Sequence, residues 1–255
     1  MECLQIRREQ NGVVRVALDR PQVHNAFNQK LIDELAESFA ELGADPTVRI
    51  VVLEGNGKNF SAGADLEWMQ QQAHAGDAEN RRTASLMADA FRAIDECVKP
   101  VVAKIHGAAL GGGSGLTCAA DVAVAHPGCI FGFTEVRLGI LPAVISPFVL
   151  RKIGYSQSRA RFLTGSRFGA EEALRIGMVH YVAENLEEKV QEVVRELLLG
   201  APTAQGVCKK LVARVFGSDP MDHQALTVET IASTRAGQEG KEGLAAFLEK
   251  RNPKW

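Results

Sequence analysis

Two glycine-containing loops are the first features of this 255-residue sequence whose residue types suggest chemistry. Asn59-Phe60-Ser61-Ala62-Gly63-Ala64-Asp65 follows the apolar run Ile50 to Glu54, and Gly107 to Gly115 follows Val101 to Ile105. Small or absent side chains let a ligand approach the main chain closely, and a helix opening in such a loop adds unpaired N–H donors and a positive dipole end. Donors of that kind suit negative charge that develops during a reaction. Either loop alone reads as an ordinary tight turn. Two of them, each just after a strand, point to a site made of main-chain amides.

Other chemistries fit these residues less well. Gly111-Gly112-Gly113-Ser114-Gly115-Leu116 lacks the third glycine of a dinucleotide fingerprint, and no acidic ribose partner is evident. A nucleophile elbow at Ser114 needs glycine two residues to either side, and position 116 is leucine. The six histidines, at 24, 74, 106, 126, 180 and 223, show no zinc-like spacing, so no metal is expected. Among the carboxylates Glu135 stands apart, because Phe131-Gly132-Phe133-Thr134 precede it and Val136-Arg137-Leu138-Gly139-Ile140-Leu141-Pro142 follow. Most glutamates are solvated. One embedded in apolar surroundings has its pKa raised toward the range useful for proton transfer.

The elements that must position these groups alternate between strand and helix. Strands are expected at Val13 to Leu18, Ile50 to Glu54, Val101 to Ile105 and Asp121 to Ala125. Helices are expected from Asn28 to Leu42, with Leu31, Leu35, Phe39 and Leu42 on one face, and from Ala78 to Cys97. Such alternation gives a core sheet covered by helices, an α/β fold with ligands at strand ends. From Ser146 onward the pattern turns helical: 147–153, 170–176, 186–199, 203–216 and 240–251. In the last of these, Leu244, Phe247 and Leu248 form a stripe that must pack on the body or on a neighbouring subunit.

Composition bounds the function. With 46% hydrophobic residues the chain can bury a full core. A balance of 29 basic against 31 acidic residues provides no field for nucleic acid or an anionic membrane, so neither is expected as a partner and any anionic ligand is held locally. The opening MECLQIRREQ lacks the apolar stretch of a signal peptide, and no apolar run approaches a membrane span. Five cysteines, Cys3, Cys97, Cys118, Cys129 and Cys208, form an odd set suited to reduced thiols. A soluble, cytoplasmic protein is expected.

Taken in order, Arg20-Pro21 with Asn25-Ala26, FSAGAD at 60–65, HGAALGGGSGL at 106–116, FGFTEVRLGILP at 131–142 and FLEKRNP at 247–253 form a set that resembles the enoyl-CoA hydratase/isomerase (crotonase) superfamily over nearly the whole chain. The resemblance implies a ββα spiral core, here residues 1–195, with a C-terminal helical trimerisation region, 196–255, assembled as a homotrimer or a hexamer. It implies an acyl-CoA thioester substrate, with coenzyme A part of the substrate and no separate cofactor. By residue matching, the N–H groups of Ala64 and Gly112 form an oxyanion hole for the thioester oxygen, and Glu135 moves the proton at the reacting carbon. Ala62, Ala64, Asp65 and Leu66 match segments that meet adenine and pantetheine, and Lys250 matches a lysine that reaches the CoA phosphates from a neighbouring subunit.

The chain departs from the family pattern at Gly115, where typical hydratases carry a second catalytic glutamate. A lone glutamate is also the pattern of some enoyl-CoA isomerases, so isomerisation stands as the alternative to hydration, and a non-catalytic RNA- or CoA-binding relative as a third. With the second glutamate gone, Ser114 or a backbone group is a candidate for holding water. Residues 135–154, with FSAGADLEWM at 60–69, look like bacterial methylglutaconyl-CoA hydratases of leucine degradation. PAVISP, beginning at Pro142 beside Leu141, replaces the family's PGAGGTQ where the acyl group should sit.

Overall fold

The computed structural model describes residues 1–217 and 223–255. Its elements, in chain order, are β1 (Leu4–Arg8), β2 (Val13–Leu18), α1 (Gln29–Ala44), β3 (Ile50–Gly55), α2 (Leu66–Ala73), α3 (Asp77–Asp95), β4 (Val101–Ile105), β5 (Ala108–Leu110), α4 (Gly112–Ala119), β6 (Val122–Ala125), β7 (Ile130–Gly132), α5 (Ser146–Thr164), β8 (Arg167–Gly169), α6 (Ala170–Arg175), β9 (Tyr181–Val182), α7 (Leu186–Leu199), α8 (Pro202–Val215), α9 (Gln224–Ala236) and α10 (Gln238–Leu248). The main sheet has the order β1-β2-β3-β4-β6-β9, and a smaller one the order β5-β7-β8.

Strands β2, β3, β4 and β6 are parallel neighbours and read as near-continuous apolar runs because both faces are covered. Alternate side chains go to opposite sides. Val51 and Leu53 join the large core beneath α1, α3, α4 and α5, while Ile50 and Val52 pack with Val190, Val193 and Val194 of α7. A second, shorter layer repeats the same order through the pairing of Phe27 with Ala64, of Ser61 with Ala109, and of β5 with β7. Each turn of the chain therefore supplies one strand to the main sheet, one short extended piece to the second layer, and then a helix. That repeat is the expected ββα spiral.

The helix expected from Asn28 begins at Gln29, with Asn28 capping it by accepting the Leu31 N–H at 2.9 Å. Its predicted stripe of Leu31, Leu35, Phe39 and Leu42 is buried. The helix expected at 147–153 is the first limb of α5, which continues to Thr164 past a kink at Gly154. Not foreseen were β1, a mostly exposed edge strand with little alternation, the polar helices α2 and α9, and four strands of two or three residues. Leu244, Phe247 and Leu248 of α10 stay 52%, 80% and 78% exposed, so the chain's own body does not cover that stripe. Among the described residues no helix is long and apolar enough to cross a membrane.

One buried carboxylate secures the edge of the sheet. Glu34 on α1 accepts the N–H groups of Glu2, Cys3 and Leu4 at 2.8, 2.9 and 3.1 Å. Burial pushes its pKa up, but the Glu2 and Cys3 hydrogen bonds outweigh this and hold it below the usual value. Glu34→Ala is expected to lower unfolding stability by about 1–3 kcal/mol in a denaturant titration, because buried donors lose their acceptor. The depressed pKa sets the sign of the pH effect: the contribution is present above the ordinary carboxylate pKa and lost as pH falls through the lower folded value, so parent and variant converge in acid.

Candidate active site

The loop after β3 is fastened by residues far from it in sequence. Asn25, fully buried, donates from Nδ2 to the carbonyls of Asn56 and Asn59, both at 2.8 Å, and its Oδ1 accepts the Arg20 N–H at 2.8 Å. Ser61 Oγ donates to the Asn25 carbonyl at 2.8 Å. The loop's own amides are then taken up in turn: Ser61 by Ala108 O, Ala62 by His24 O and Asp65 by Phe27 O, with Gly63 3.5 Å from Ser61 Oγ. The exposed Ala64 differs, since no acceptor among the described residues takes its N–H. In so closely paired a loop, a donor left free faces a ligand or water.

Asp65 has a largely structural task. Its carboxylate caps α2 by accepting the Glu67 and Trp68 N–H groups at 2.9 and 3.5 Å, and it pairs with Arg20 at 2.9 Å. Burial pushes its pKa up, but Arg20 and the two amides leave it lower than usual, and ionised. Ala62 is half-buried and Leu66 is 78% exposed, so these two leave apolar surface beside the free amide.

The loop after β4 is pressed against the first. Leu110 N–H donates to Ser61 O at 2.9 Å, Ala108 N–H to Asn59 Oδ1 at 2.8 Å, and Gly111 N–H to Gly132 O at 2.9 Å. The run of three glycines has three separate causes. A Cβ at Gly111 would sit 3.1 Å from Glu135 Oε1, one at Gly112 2.8 Å from the Phe27 ring, and one at Gly113 2.5 Å from Ser61 O. Gly111 also adopts φ 50° and ψ −114°, which side-chain-bearing residues avoid. Gly112 opens α4, where an N–H has no intrahelical acceptor, and no other acceptor among the described residues takes it. The Gly63 Cα lies 3.8 Å from the Cβ position at Gly111, so the residues just before the two free amides touch.

Glu135 begins a short 3-10 helix after β7, with Phe133 and Thr134 between, and brings its carboxyl to this junction, with Oε1 beside Gly111. Its Oε2 is buried and has no hydrogen-bond partner among the described residues. Burial raises its pKa, opposed only by its own backbone amide. A half-buried carboxyl with no cation paired to it among the described residues, next to two free amides, can exchange a proton with a bound molecule whose oxygen those amides hold.

The other candidates separate. Ser114 is fully buried and donates to Ala109 O at 2.7 Å, with its Oγ 3.3 Å from Gly132 N. The expectation that Ser114 holds water is therefore corrected: its hydroxyl ties α4 to β5 and β7 and does not face a ligand. At Gly115 a Cβ would lie 2.5 Å from Ile145 Cγ2 and 2.9 Å from Phe91 Cε1. The volume into which a side chain at 115 would grow is filled by Ile145 of the PAVISP segment and by Phe91, the middle ring of a row with Phe27 and Phe148 at centroid spacings of 5.9 and 6.0 Å. Gly115→Ala is accordingly expected to cost about 1–3 kcal/mol by overpacking, with Ile145→Ala restoring part of the loss in a thermal melt. Pro142 is buried and Leu141 is 70% exposed. Lys250 is exposed at the end of α10, which packs on α8 and α9 within the chain.

Arg20, Asn25, Asn59 and Ile145 had no assigned part in the sequence reading. Arg20 and Asn25 were visible as a motif, but their loop-tying role needs contacts up to 45 residues away.

Comparison with known proteins bears on the family and the fold. The enoyl-CoA hydratase/isomerase family model matches residues 8–255. An enoyl-CoA hydratase crystal structure from Shewanella pealeana superposes with a TM-score of 0.96 at 37% identity, covering 99% of this chain and 96% of that one. A short-chain-enoyl-CoA hydratase from Clostridium acetobutylicum is 32% identical, over 98% of this chain and 97% of its own length. A trans-2-decenoyl-acyl-carrier-protein isomerase from Streptococcus mutans is also 32% identical, over 96% and 95%.

Proposed function

Because the chain belongs to the enoyl-CoA hydratase/isomerase family, we propose that it hydrates a branched enoyl-CoA thioester, with methylglutaconyl-CoA as the preferred candidate. One observation carries the reading: the unpartnered Glu135 carboxyl meets two loops that each leave one amide, Ala64 and Gly112, without an acceptor among the described residues. Glu135 in its ionised form takes a proton from water as the water oxygen bonds to Cβ. The double-bond electrons move through Cα onto the thioester oxygen, where the two N–H groups hold the charge. Glu135 then returns the proton to Cα, so one water is added and the carboxylate is regenerated. The likeness of residues 135–154 to methylglutaconyl-CoA hydratases supports the acyl group.

A second reading is favoured by Gly115, since Ile145 closes the space a second acid would use. A single carboxyl suffices to remove a proton from Cα of a 3-enoyl thioester and return it to Cγ, and one of the relatives is named as an isomerase. The pantetheine and adenine would lie along Ala62, Ala64, Asp65 and Leu66. The exposed stripe of α10 supports residues 196–255 as the assembly region of a cytoplasmic trimer or hexamer, with Lys250 reaching the CoA phosphates of a neighbouring subunit. Mass spectrometry of purified protein with methylglutaconyl-CoA, crotonyl-CoA and a 3-enoyl-CoA tests the choice. Gain of water on methylglutaconyl-CoA is the expected result, conversion of the 3-enoyl substrate without gain of mass favours the isomerase, and no change in any of the three rejects both.

A further inference from the structure

A cavity of about 430 Å³ opens between α8 and the C-terminal end of α4, lined by Ala119, Phe148, Leu197 and Val212 together with Lys152 and Cys208. It lies at the opposite end of α4 from Gly112, about 10 Å away at 1.5 Å per residue. Three cations border it. Lys209 is paired with Asp121 at 2.7 Å and Arg151 with Asp95. Lys152 is different: its Nζ donates to Ala120 O at 2.8 Å and to Asp121 O at 3.3 Å, and no carboxylate among the described residues lies within 4 Å of it.

Capping the end of α4 explains two of the three ammonium protons. The third has no acceptor among the described residues, and burial disfavours the uncompensated charge enough to lower the Lys152 pKa. Water against the apolar part of these walls finds few partners there. An anion with an aliphatic tail satisfies both parts, its charge meeting the half-buried ammonium and its chain covering the apolar walls. The excess of one cation over the two carboxylates favours a single negative charge. We propose that this cavity is a second ligand site, which binds a medium-chain monocarboxylate with its headgroup on Lys152 Nζ and its chain along Phe148, Leu197 and Val212.

Octanoate is the probe, titrated calorimetrically into the full-length protein. A second readout is alkylation of Cys208 by iodoacetamide, since Cys208 lines the cavity and is exposed while the other four cysteines are buried. Octanoate is expected to bind and to slow the alkylation, and saturating crotonyl-CoA to leave both effects unchanged. Lys152→Met should weaken binding by about tenfold or more, the loss expected for one charge-assisted hydrogen bond. Ala213→Trp, which fills the cavity from α8 without altering a charge, should abolish it and keeps the test open if Lys152→Met does not fold. The proposal is overturned by unchanged binding in either variant, by displacement with crotonyl-CoA, by equal protection of Cys208 from octan-1-ol, or by neither heat nor protection at millimolar octanoate.

Discussion

Glu135→Gln is expected to lower turnover of an enoyl-CoA thioester by about 10²–10⁴-fold, the usual loss for a general acid–base group, while the protein stays folded. Glutamine keeps the shape and removes the exchangeable proton. The structure gives the stability side of the prediction its sign. Burial raises the Glu135 pKa above its ordinary 4.5, and Oε2 has no partner among the described residues. A raised carboxyl favours the folded state in its protonated form, so its contribution is full below the ordinary pKa and lost as pH rises through the folded value. Near pH 4 the variant and the parent should melt alike; at pH 7 the neutral glutamine should melt higher. The rising limb of kcat/KM against pH should likewise lie above the ordinary carboxylate range. Parental turnover in the variant, with coincident melting curves at both pH values, would remove Glu135 from the mechanism.

The second large effect concerns a backbone atom, which proline can delete. Ala64→Pro removes the N–H that no described residue accepts, at an exposed position whose φ lies outside the left-handed region. Turnover should fall by about 10²–10³-fold, corresponding to about 2.7–4 kcal/mol of lost transition-state stabilisation, with little change in Tm. Ala62→Pro supplies the contrast, because the Ala62 N–H donates to His24 O at 3.0 Å and its loss should lower Tm. Circular dichroism melts and steady-state kinetics on the two variants separate the roles. If Ala64→Pro keeps parental kcat, the thioester oxygen is not held there.

Legibility in the sequence followed the strength of local pattern. Strands β2, β3, β4 and β6 and helices α1, α3 and α7 were readable because a buried parallel strand is a continuous apolar run and an amphipathic helix repeats on its own period. Strand β1 was not readable, since four of its five residues are exposed and it is held by pairing with β2 and, at its start, by Glu34 some 30 positions on. Helix α2 owes its start to Asp65, a residue first read as lining the ligand. The short strands of the second layer carry too few residues to show any period.

By itself the sequence determined the residue types of the site: loops with little side chain after two strands, a glutamate among apolar neighbours, and no glutamate at position 115. Those are local properties of covalent structure. Only the tertiary structure decided which amides stay free, because a donor counts as free only after every distant acceptor has been placed, as Ala108, His24 and Phe27 are for Ser61, Ala62 and Asp65. It also decided that Ser114 belongs to the framework, and that Ile145 takes the space beside Gly115. These are facts about packing across as many as 47 residues of chain, from Ser61 to Ala108, and close packing, unlike periodicity, leaves no mark on any single segment.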